Sequence, residues 1–391
     1  RQRQMCIRDS FYDPGMHGVD WKGMKKRYGV LLPYVAHRFD LNYIIGEMIA
    51  ELCSSHTYVY GGDMPRTKRV SVGLLGCDFQ LDKKTGLYRI KKIYKGRNWD
   101  KRYISPLTLP GIDIREGDYL LAVNGTELKY PTNPFELLEN TAGKQTVIKV
   151  SRKANGKDAK EFTVVPTSND TWLRYNDWVE SNRKKVAEAT NGRVGYIHVP
   201  NTSLIGLNEF ASSFYPQVNK DGLIIDVRYN SGGFIPDMFV ERLSRKLLAL
   251  WARREGRSFL TPWSAPRGPM VCIMNAYAGS GGDAFPYFFR EKGLGPLIGT
   301  RTWGGLIGIS RNIPLVDKGG VTMPDFGLYN LEGKWYVENV GVKPDIEVDN
   351  RPDLVVKGHD PQLEKAIEVI LEKLKENPPK LPKKPAYPIK S

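Results

Sequence analysis

Apolar residues recur every three or four positions between residues 40 and 53, which predicts an amphipathic helix over 40–53 with Asp40 as its N-cap. The apolar positions of this pattern are Leu41, Ile44, Ile45, Met48, Ile49 and Leu52. A second helix is predicted over 21–34, and we therefore expect residues 11–65 to form a helical segment. Residues 1–10 match neither a helix nor a signal peptide, and we expect them to be a leader foreign to the native protein.

The pattern changes to short runs of β-forming residues between residues 66 and 168. The predicted strands are 70–79, 88–94, 118–123 and 145–151. The pair Asn124-Gly125 follows a strand directly and favours the tight turn of a β-hairpin. One helix is predicted over 134–140, so we expect a small β-rich domain over 66–168.

Short apolar runs alternate with helical patterns between residues 169 and 376. The predicted elements are strands over 194–199, 222–227 and 270–274, and helices over 177–189, 236–251, 282–292 and 361–376. Uniformly apolar runs are typical of buried parallel strands, and their alternation with helices predicts a crossover α/β sheet. The predicted fold class is therefore multidomain, combining α+β and α/β parts, and the Pro- and Lys-rich residues 377–391 are expected to form a disordered tail.

The composition of the 391 residues fits a globular protein, with 41% hydrophobic and 26% charged residues. No run approaches the ~20 apolar residues of a membrane-spanning helix. The formal net charge of +15 comes from scattered basic residues, which indicates a basic surface and no nucleic-acid site. The cysteines form no CxxC pair, so no zinc site, metal or organic cofactor is expected; they are Cys6, Cys53, Cys77 and Cys272.

Ser280 is a candidate nucleophile because an apolar strand over 271–274 leads into a small-residue turn that carries this serine just before a predicted helix. A serine at such a turn is exposed and lies near the free N–H groups of the helix N-terminus. Gly279, Gly281 and Gly282 allow backbone angles that other residues resist. The same pattern fits a glycine-rich turn in which Ser280 or Asp283 only caps the helix, and the turn alone does not decide between these interpretations.

A serine hydroxyl needs a base to become a good nucleophile. The histidines that could supply it are His17, His37, His56, His198 and His359. His56 follows Ser54-Ser55 at the predicted end of a helix, where a histidine can also serve only as a partner of the helix dipole. His56 and Ser280 lie far apart in sequence, which is common in catalytic sites but means that spacing cannot join them.

Two further segments carry candidate chemistry. The pair Gly232-Gly233 follows an apolar strand over 222–227, which suits backbone N–H groups aimed at an oxyanion but also suits an ordinary strand–helix turn. Glu338 lies among apolar residues, and it is either a surface glutamate on an edge strand or a carboxylate that orients a base.

The order of these segments resembles the C-terminal part of the tricorn-type serine peptidases of the S41 clan. The resemblance extends over residues 11–376 and includes the helical segment, a PDZ-like insert at 66–168 and an α/β domain at 169–376. The local motifs that carry it are Leu52-Cys53-Ser54-Ser55-His56 with Gly61-Gly62-Asp63, Asn230-Ser231-Gly232-Gly233, the turn at Ser280, and Glu338-Asn339-Val340-Gly341-Val342.

The resemblance implies a role for each matching residue. Ser280 would attack the scissile carbonyl, and His56 would act first as general base and then as general acid. Ser55 would lie between His56 and Glu338, so that the carboxylate orients the imidazole through a hydroxyl. The implied arrangement is a catalytic triad of Ser280, His56 and Glu338 in which Ser55 is an additional link between the imidazole and the carboxylate.

The implied oxyanion hole consists of the backbone N–H groups of Gly233 and Gly281. Gly281 is a departure from the family pattern, since many members carry Asp directly after the nucleophile. Because the implied donor is a backbone group, the role does not need that side chain. The N-terminal β-propellers of the family do not occur in this chain, and we expect it to be truncated at its front.

Two other functions stay open at the level of sequence. A C-terminal-processing peptidase with a Ser–Lys dyad would need a lysine in the segment 300–305, which contains none. A non-catalytic PDZ scaffold would lack one of the catalytic side chains, yet all the candidates are present.

The resemblance also implies partners and a location. Oligopeptides or unfolded segments would be the substrates, and the PDZ-like groove would capture a peptide by strand addition. A homo-oligomer in the cytoplasm is expected, although export stays open if the front of the chain is missing. No membrane partner is expected.

Overall fold

The computed structural model describes residues 7–65 and 67–390, with the side chains of residues 311–313 left aside. From Trp21 onward, the α-helices are α1 (Trp21–Gly29), α2 (Arg38–Ala50), α3 (Pro134–Leu137), α4 (Thr171–Ala189), α5 (Leu204–Gln217), α6 (Pro236–Leu243), α7 (Gly281–Glu291), α8 (Pro352–Val355) and α9 (Pro361–Glu376). The strands are β1 (Val59–Gly61), β2 (Cys77–Asp82), β3 (Leu87–Ile93), β4 (Tyr119–Val123), β5 (Thr126–Glu127), β6 (Thr146–Ser151), β7 (Lys160–Val164), β8 (Val194–His198), β9 (Gly222–Asp226), β10 (Ala249–Trp251), β11 (Phe259–Thr261), β12 (Met270–Met274), β13 (Leu297–Gly299), β14 (Arg311–Pro314), β15 (Gly319–Met323) and β16 (Ile346–Glu347).

The chain divides into two compact units. The first unit comprises the residues up to 65 together with those from 183 onward, and the second unit comprises the residues between them. The domain boundaries expected from the sequence stay predictions.

The helical segment differs from its prediction at the helix ends. Asp40 is not the N-cap of α2, because the helix begins at Arg38 and His37 occupies the cap position. The Asp40 carboxylate instead accepts hydrogen bonds from the backbone N–H groups of Ala36 and His37, at 3.0 and 3.2 Å. It therefore satisfies N–H groups ahead of the helix from within the first turn.

The second unit contains an antiparallel sheet in the order β2-β3-β4-β6-β7, with β5 paired to β4. The predicted Asn124-Gly125 turn is confirmed, since both residues have positive φ and join β4 to β5. The predicted strand over 70–79 is too long at its start, because Val72 and Leu74 make only isolated bridges before β2 begins at Cys77. The core of this unit includes Leu75, Ile90, Leu120, Ile148 and Val164.

A parallel sheet in the order β16-β13-β12-β9-β8 forms the centre of the first unit. Strands β8, β9 and β12 are buried along their whole length, as their largely apolar sequences predict. The predicted mixed fold class is thereby confirmed.

The predicted helix over 236–251 is wrong in its second half. Helix α6 ends at Leu243, and residues 249–251 form β10, which pairs antiparallel with β11. The rings of Trp251 and Phe259 stack at 6.1 Å across this hairpin, and such aromatic cross-strand pairs favour strands. Helix α5 has no counterpart in the prediction, because Gly206 and Pro216 weaken its helical pattern.

The parallel sheet brings distant loops to one edge. Because β8, β9 and β12 run in the same direction, the loops after β9 and β12 lie at the same side of the sheet. These loops carry Gly232-Gly233 and Ser280. Strand β1 pairs with β15, and Tyr58 and Thr322 exchange hydrogen bonds of 2.7 and 3.0 Å. This pairing holds the chain that follows His56.

The two ends of the chain lie partly outside the described residues. Residues 1–6 of the predicted leader and residue 391 of the predicted tail lie outside the described residues, while Ile7 is buried in a cluster with Phe11 and Met16. Residues 378–390 contain no helix or strand, and the Lys384 Nζ donates to the carbonyl of Arg253 at 2.7 Å.

Among the described residues, every helix is too short or too polar to cross a membrane.

Candidate active site

Ser280 occupies the N-cap position of α7 with φ of 59° and ψ of −120°. A positive φ is uncommon for a residue with a Cβ, and such strained backbone is concentrated at functional sites. The turn is also closely packed, because a Cβ at Gly232 would lie 2.7 Å from the Cβ of Ser280. Only glycine at position 232 leaves the serine in this place. The geometry is that of a nucleophile held at a sharp strand-to-helix turn.

Asp283 is a buried carboxylate that fixes this turn. Its Oδ2 accepts from the backbone N–H of Ser280 at 2.7 Å, and its two oxygens accept from Gly304 and Gly305 at 2.8 and 3.3 Å. Burial raises the pKa of Asp283, while these hydrogen bonds oppose the shift. The sequence prediction considered Asp283 only as an alternative N-cap. Its spacing of three residues after Ser280 is the capping-box signal that could have identified its role.

His56, Ser55 and Glu338 form a chain of hydrogen bonds. The Ser55 hydroxyl donates to Glu338 Oε2 at 3.0 Å, and the Ser55 backbone N–H donates to Glu338 Oε1 at 2.7 Å. The same hydroxyl oxygen lies 2.9 Å from His56 Nδ1. Because its proton goes to Glu338, this oxygen accepts from Nδ1–H, and the Nε2 of the neutral imidazole is left with a lone pair that can take a proton.

A second segment of the chain, besides Ser55, donates hydrogen bonds to the Glu338 carboxylate. Its Oε2 also accepts from the backbone N–H groups of Leu306 and Ile307, at 2.7 and 2.9 Å. The preceding residue, Val337, has φ of 75°, which is a strained conformation for a β-branched side chain. These contacts fix the direction from which the carboxylate reaches Ser55.

Burial lowers the pKa of His56, and the negative charge of Glu338 opposes part of this shift. His56 is therefore neutral near pH 7 and available as a base. When it takes a proton, the resulting imidazolium is stabilised by the Glu338 charge through Ser55.

Gly233 and Gly281 come close together beside the Ser280 turn. A Cβ at Gly281 would lie 2.9 Å from the backbone nitrogen of Gly233, and it would collide with the Thr202 hydroxyl. The loop after β9 is fixed by the Asn230 side chain, which donates to the Val199 carbonyl at 2.8 Å and accepts from the Gly232 N–H at 2.9 Å. Two glycine backbones thus flank the candidate nucleophile.

A cavity of about 600 Å³ in the first unit joins the predicted residues. His56, Ser280, Gly233 and Gly281 all line it. Its remaining wall is mainly apolar and includes Ala284, Phe288, Leu306, Ile309, Phe326 and Leu328. Ser55 and Glu338 are linked to the cavity through the His56 ring.

The other histidines do not line this cavity. His198 is buried and its Nε2 bonds to the Arg228 carbonyl at 2.9 Å, and His17 Nδ1 bonds to the Leu52 carbonyl at 2.8 Å. No lysine lines the cavity among the described residues, so a Ser–Lys dyad has no candidate there. Within the same part of the chain, no cluster of His, Cys, Asp and Glu could hold a metal ion.

Three protein families match the chain in succession. The family described as "Tricorn protease C1 domain" matches residues 6–50, "Tricorn protease PDZ domain" matches residues 73–169, and "Peptidase family S41" matches residues 193–348. This order is the one that the sequence resemblance predicts.

Individual relatives agree with these matches. A "Putative Tricorn-like protease C-terminal subunit" of Sulfurisphaera tokodaii is 39% identical over 357 residues, which cover 91% of this chain and 41% of the relative. "Tricorn protease homolog 1" of Streptomyces coelicolor is 38% identical over 96% of this chain and 35% of the relative. A crystal structure of the tricorn protease matches with a TM-score of 0.90 at 34% identity, over 96% of this chain and 36% of that chain.

The chain spans less than half the length of these relatives. Within that span, the families, the sequence identity and the fold agree with one another. The chain belongs to the tricorn-type serine peptidases of family S41.

Proposed function

We propose that this chain is the catalytic part of a serine peptidase that cleaves peptide bonds through an acyl-enzyme intermediate. Ser280 is the nucleophile, His56 is the general base and acid, and Ser55 with Glu338 orients the imidazole. The observation that carries the proposal is the hydrogen-bonded chain Glu338–Ser55–His56, whose imidazole lines the same cavity as Ser280.

In the first step, His56 Nε2 takes the hydroxyl proton of Ser280 while the Ser280 Oγ bonds to the scissile carbonyl carbon. The carbonyl oxygen becomes an oxyanion, and the backbone N–H groups of Gly233 and Gly281 stabilise it. One such donor contributes about 3–4 kcal/mol of transition-state stabilisation in well-studied peptidases. The narrow contact between the two glycine backbones supports this assignment.

The tetrahedral intermediate then collapses. His56 passes its proton to the leaving amine, the C–N bond breaks, and the acyl group stays on Ser280 as an ester. A water molecule attacks this ester while His56 takes one of its protons, and the proton returns to Ser280 as the new carboxyl product leaves. Every proton that moves passes through His56 Nε2.

Labelling with a fluorophosphonate probe tests the proposal, because such probes bond covalently to an activated serine. Wild-type protein should be labelled, and Ser280→Ala should abolish the labelling. Ser212→Ala is the matched control, since this exposed serine donates only to the Glu209 carbonyl at 2.9 Å and lies on α5. Labelling that persists in Ser280→Ala, or that is absent in the wild type, would contradict the proposal.

We also propose that the second unit captures peptides by strand addition. Its match to a PDZ family and the position of β2 at the edge of its sheet support this role. Phe79 of β2 packs against Phe135 of α3 with 5.9 Å between the ring centroids. Fluorescence anisotropy with labelled peptides tests it: a free C-terminal carboxylate should bind more tightly than its amide, and equal binding would contradict carboxylate capture.

Oligopeptides or unfolded segments are the proposed substrates, and the proposed setting is a homo-oligomer in the cytoplasm. The relatives named as tricorn proteases support the substrate class. Sedimentation velocity tests the assembly, since a monomer at micromolar concentration would contradict it. Fractionation of the source cells tests the location.

A further inference from the structure

The segment 302–307, here called the bridging loop, binds both carboxylates of the site through its backbone. The N–H groups of Gly304 and Gly305 donate to Asp283, which holds the Ser280 turn. The next two N–H groups of the loop donate to Glu338 at 2.7 and 2.9 Å. The same loop therefore holds the carboxylate that fixes the Ser280 turn and the carboxylate that orients His56 through Ser55.

The bridging loop is itself tied to the neighbouring chain. The Trp303 N–H donates to the Ala278 carbonyl at 2.9 Å, just before the Ser280 turn. The Gly304 carbonyl accepts from the Asn339 N–H at 2.7 Å, directly after Glu338. These backbone hydrogen bonds fix the position of the Trp303 Cα, from which the indole extends.

The Trp303 indole lies between the base and the nucleophile turn. Its ring meets the His56 ring edge to face, with centroids 5.4 Å apart and planes at 61°. The indole also lies against Gly279, where an added Cβ would be 2.6 Å from Trp303 Cε3. The side chain is 43% exposed and does not line the cavity.

We propose that Trp303 is a positioning residue that holds the His56 imidazole at the angle needed to take the Ser280 proton. The inference rests on the proposed function of Ser280 and His56. The Ser55 hydroxyl fixes Nδ1 of the imidazole, but a single hydrogen bond leaves the ring free to swing about that point. The indole contact, with centroids closer than those of the Tyr58 ring, supplies a second constraint, and together they define the ring plane.

Trp303 packs against the His56 ring and so contributes to its burial. The titratable and charged groups around His56 are Glu338, through Ser55, and Tyr58, whose ring lies 6.1 Å away; Asp237 and Tyr329 line the same cavity. Since burial lowers the pKa of His56, removal of the indole should raise it. The acid limb of the pH profile then moves to higher pH, a change that a merely structural role for Trp303 does not predict.

The first test compares kcat and KM in Trp303 variants. Trp303→Ala should lower kcat about 100-fold with little change in KM, because a misplaced catalytic group costs rate and not binding. Trp303→Phe keeps an aromatic edge against His56 and should recover most of the rate. Trp263→Ala is the matched control, since Trp263 is 66% exposed and stacks only on Tyr215, at 5.9 Å, away from the site.

The second test uses Gly279→Ala, whose methyl group meets the indole. The backbone of Gly279 does not have a positive φ, so alanine fits there except for the contact with Trp303. Gly279→Ala should lower kcat in the wild-type background by displacing the indole. The same change in the Trp303→Ala background should cost little further, because the colliding ring is gone.

The outcomes separate the inference from the proposed function. If wild-type protein does not react with a fluorophosphonate probe, the proposed function fails. If the wild type reacts and the Trp303 variants react at the same rate with the same pH profile, the positioning role is overturned. Additive effects of Gly279→Ala and Trp303→Ala would overturn it as well. Should the alanine variant not fold, the cycle can be measured with Trp303→Val, which also removes the colliding ring.

Discussion

Ser55 donates its hydroxyl proton to Glu338 across 3.0 Å, although 283 positions separate the two residues in the chain. The same hydroxyl oxygen accepts from His56, so one small side chain connects a carboxylate to an imidazole. An ordinary triad has the carboxylate in direct contact with the histidine. Here the connection depends on a serine, and this dependence can be tested.

Ser55→Ala should lower kcat/KM by roughly 100-fold, because the imidazole loses its link to Glu338 and its tautomer is no longer fixed. Turnover of a short fluorogenic peptide measures the effect. Ser54→Ala is the matched control and should retain most of the activity, since the Ser54 hydroxyl donates only to the neighbouring Ser55 carbonyl at 3.2 Å. Equal losses in the two variants would contradict the role of Ser55.

The pH dependence of kcat/KM should report His56. Burial lowers its pKa below the ordinary value of 6.5, so activity should persist below that pH and fall as the imidazole is protonated. Glu338→Gln removes the charge that opposes this shift, and the midpoint should move further down while the plateau rate falls. Glu332→Gln, which alters an exposed carboxylate, should leave the profile unchanged. A midpoint that moves up in Glu338→Gln would contradict the assignment.

Gly232→Ala should abolish probe labelling of Ser280, because the new Cβ would lie 2.7 Å from the Cβ of Ser280. Alanine also pays about 1–2 kcal/mol for the positive φ at this position. Gly192→Ala is the control for that cost, since Gly192 has φ of 72° but open space around it. Labelling per folded molecule should fall in Gly232→Ala and persist in Gly192→Ala. The opposite result would show that the contact with Ser280 does not determine the reactivity of this serine.

Asp283→Asn should destabilise the first unit by about 1–3 kcal/mol, because an amide offers one acceptor oxygen and places an NH₂ donor against backbone N–H groups. Labelling of Ser280 should slow as its turn loosens. Urea unfolding followed by tryptophan fluorescence measures the free energy. Asp353→Asn, on the exposed start of α8, should change it little, and equal effects of the two variants would contradict a structural role for Asp283.

Arg228 forms a buried ion pair with Asp226 at 2.7 Å and reaches Asp360 at 2.7 Å. Arg228→Ala would leave these carboxylates without their partner and should cost about 3–5 kcal/mol of unfolding free energy. Arg193→Ala removes a largely exposed pair with Asp221 and should cost less than about 1 kcal/mol. Similar losses in the two variants would show that burial does not determine the effect.

Much of the fold follows from local sequence patterns. The buried strand over 270–274 and the helix over 361–376 have the predicted bounds, because a uniformly apolar run and a regular helical period are properties of neighbouring residues. The end of the helix predicted over 236–251 could not be found in this way. There, pairing with β11 outweighs the helical pattern, and the partner strand lies further along the chain.

The same distinction between local sequence patterns and contacts of distant residues applies to the candidate site. The sequence by itself determined the glycine-rich turn of Ser280 and the pair Gly232-Gly233, since both depend on residue types in short segments. It also made His56 and Glu338 candidates, but their roles followed only from a resemblance. The resemblance also implied that Ser55 lies between His56 and Glu338, and the tertiary structure gives the hydrogen-bond distances that join the three side chains. Only the tertiary structure showed that Trp303 lies against the imidazole. These contacts connect residues far apart in the chain, and their distances depend on how the sheet and its loops pack.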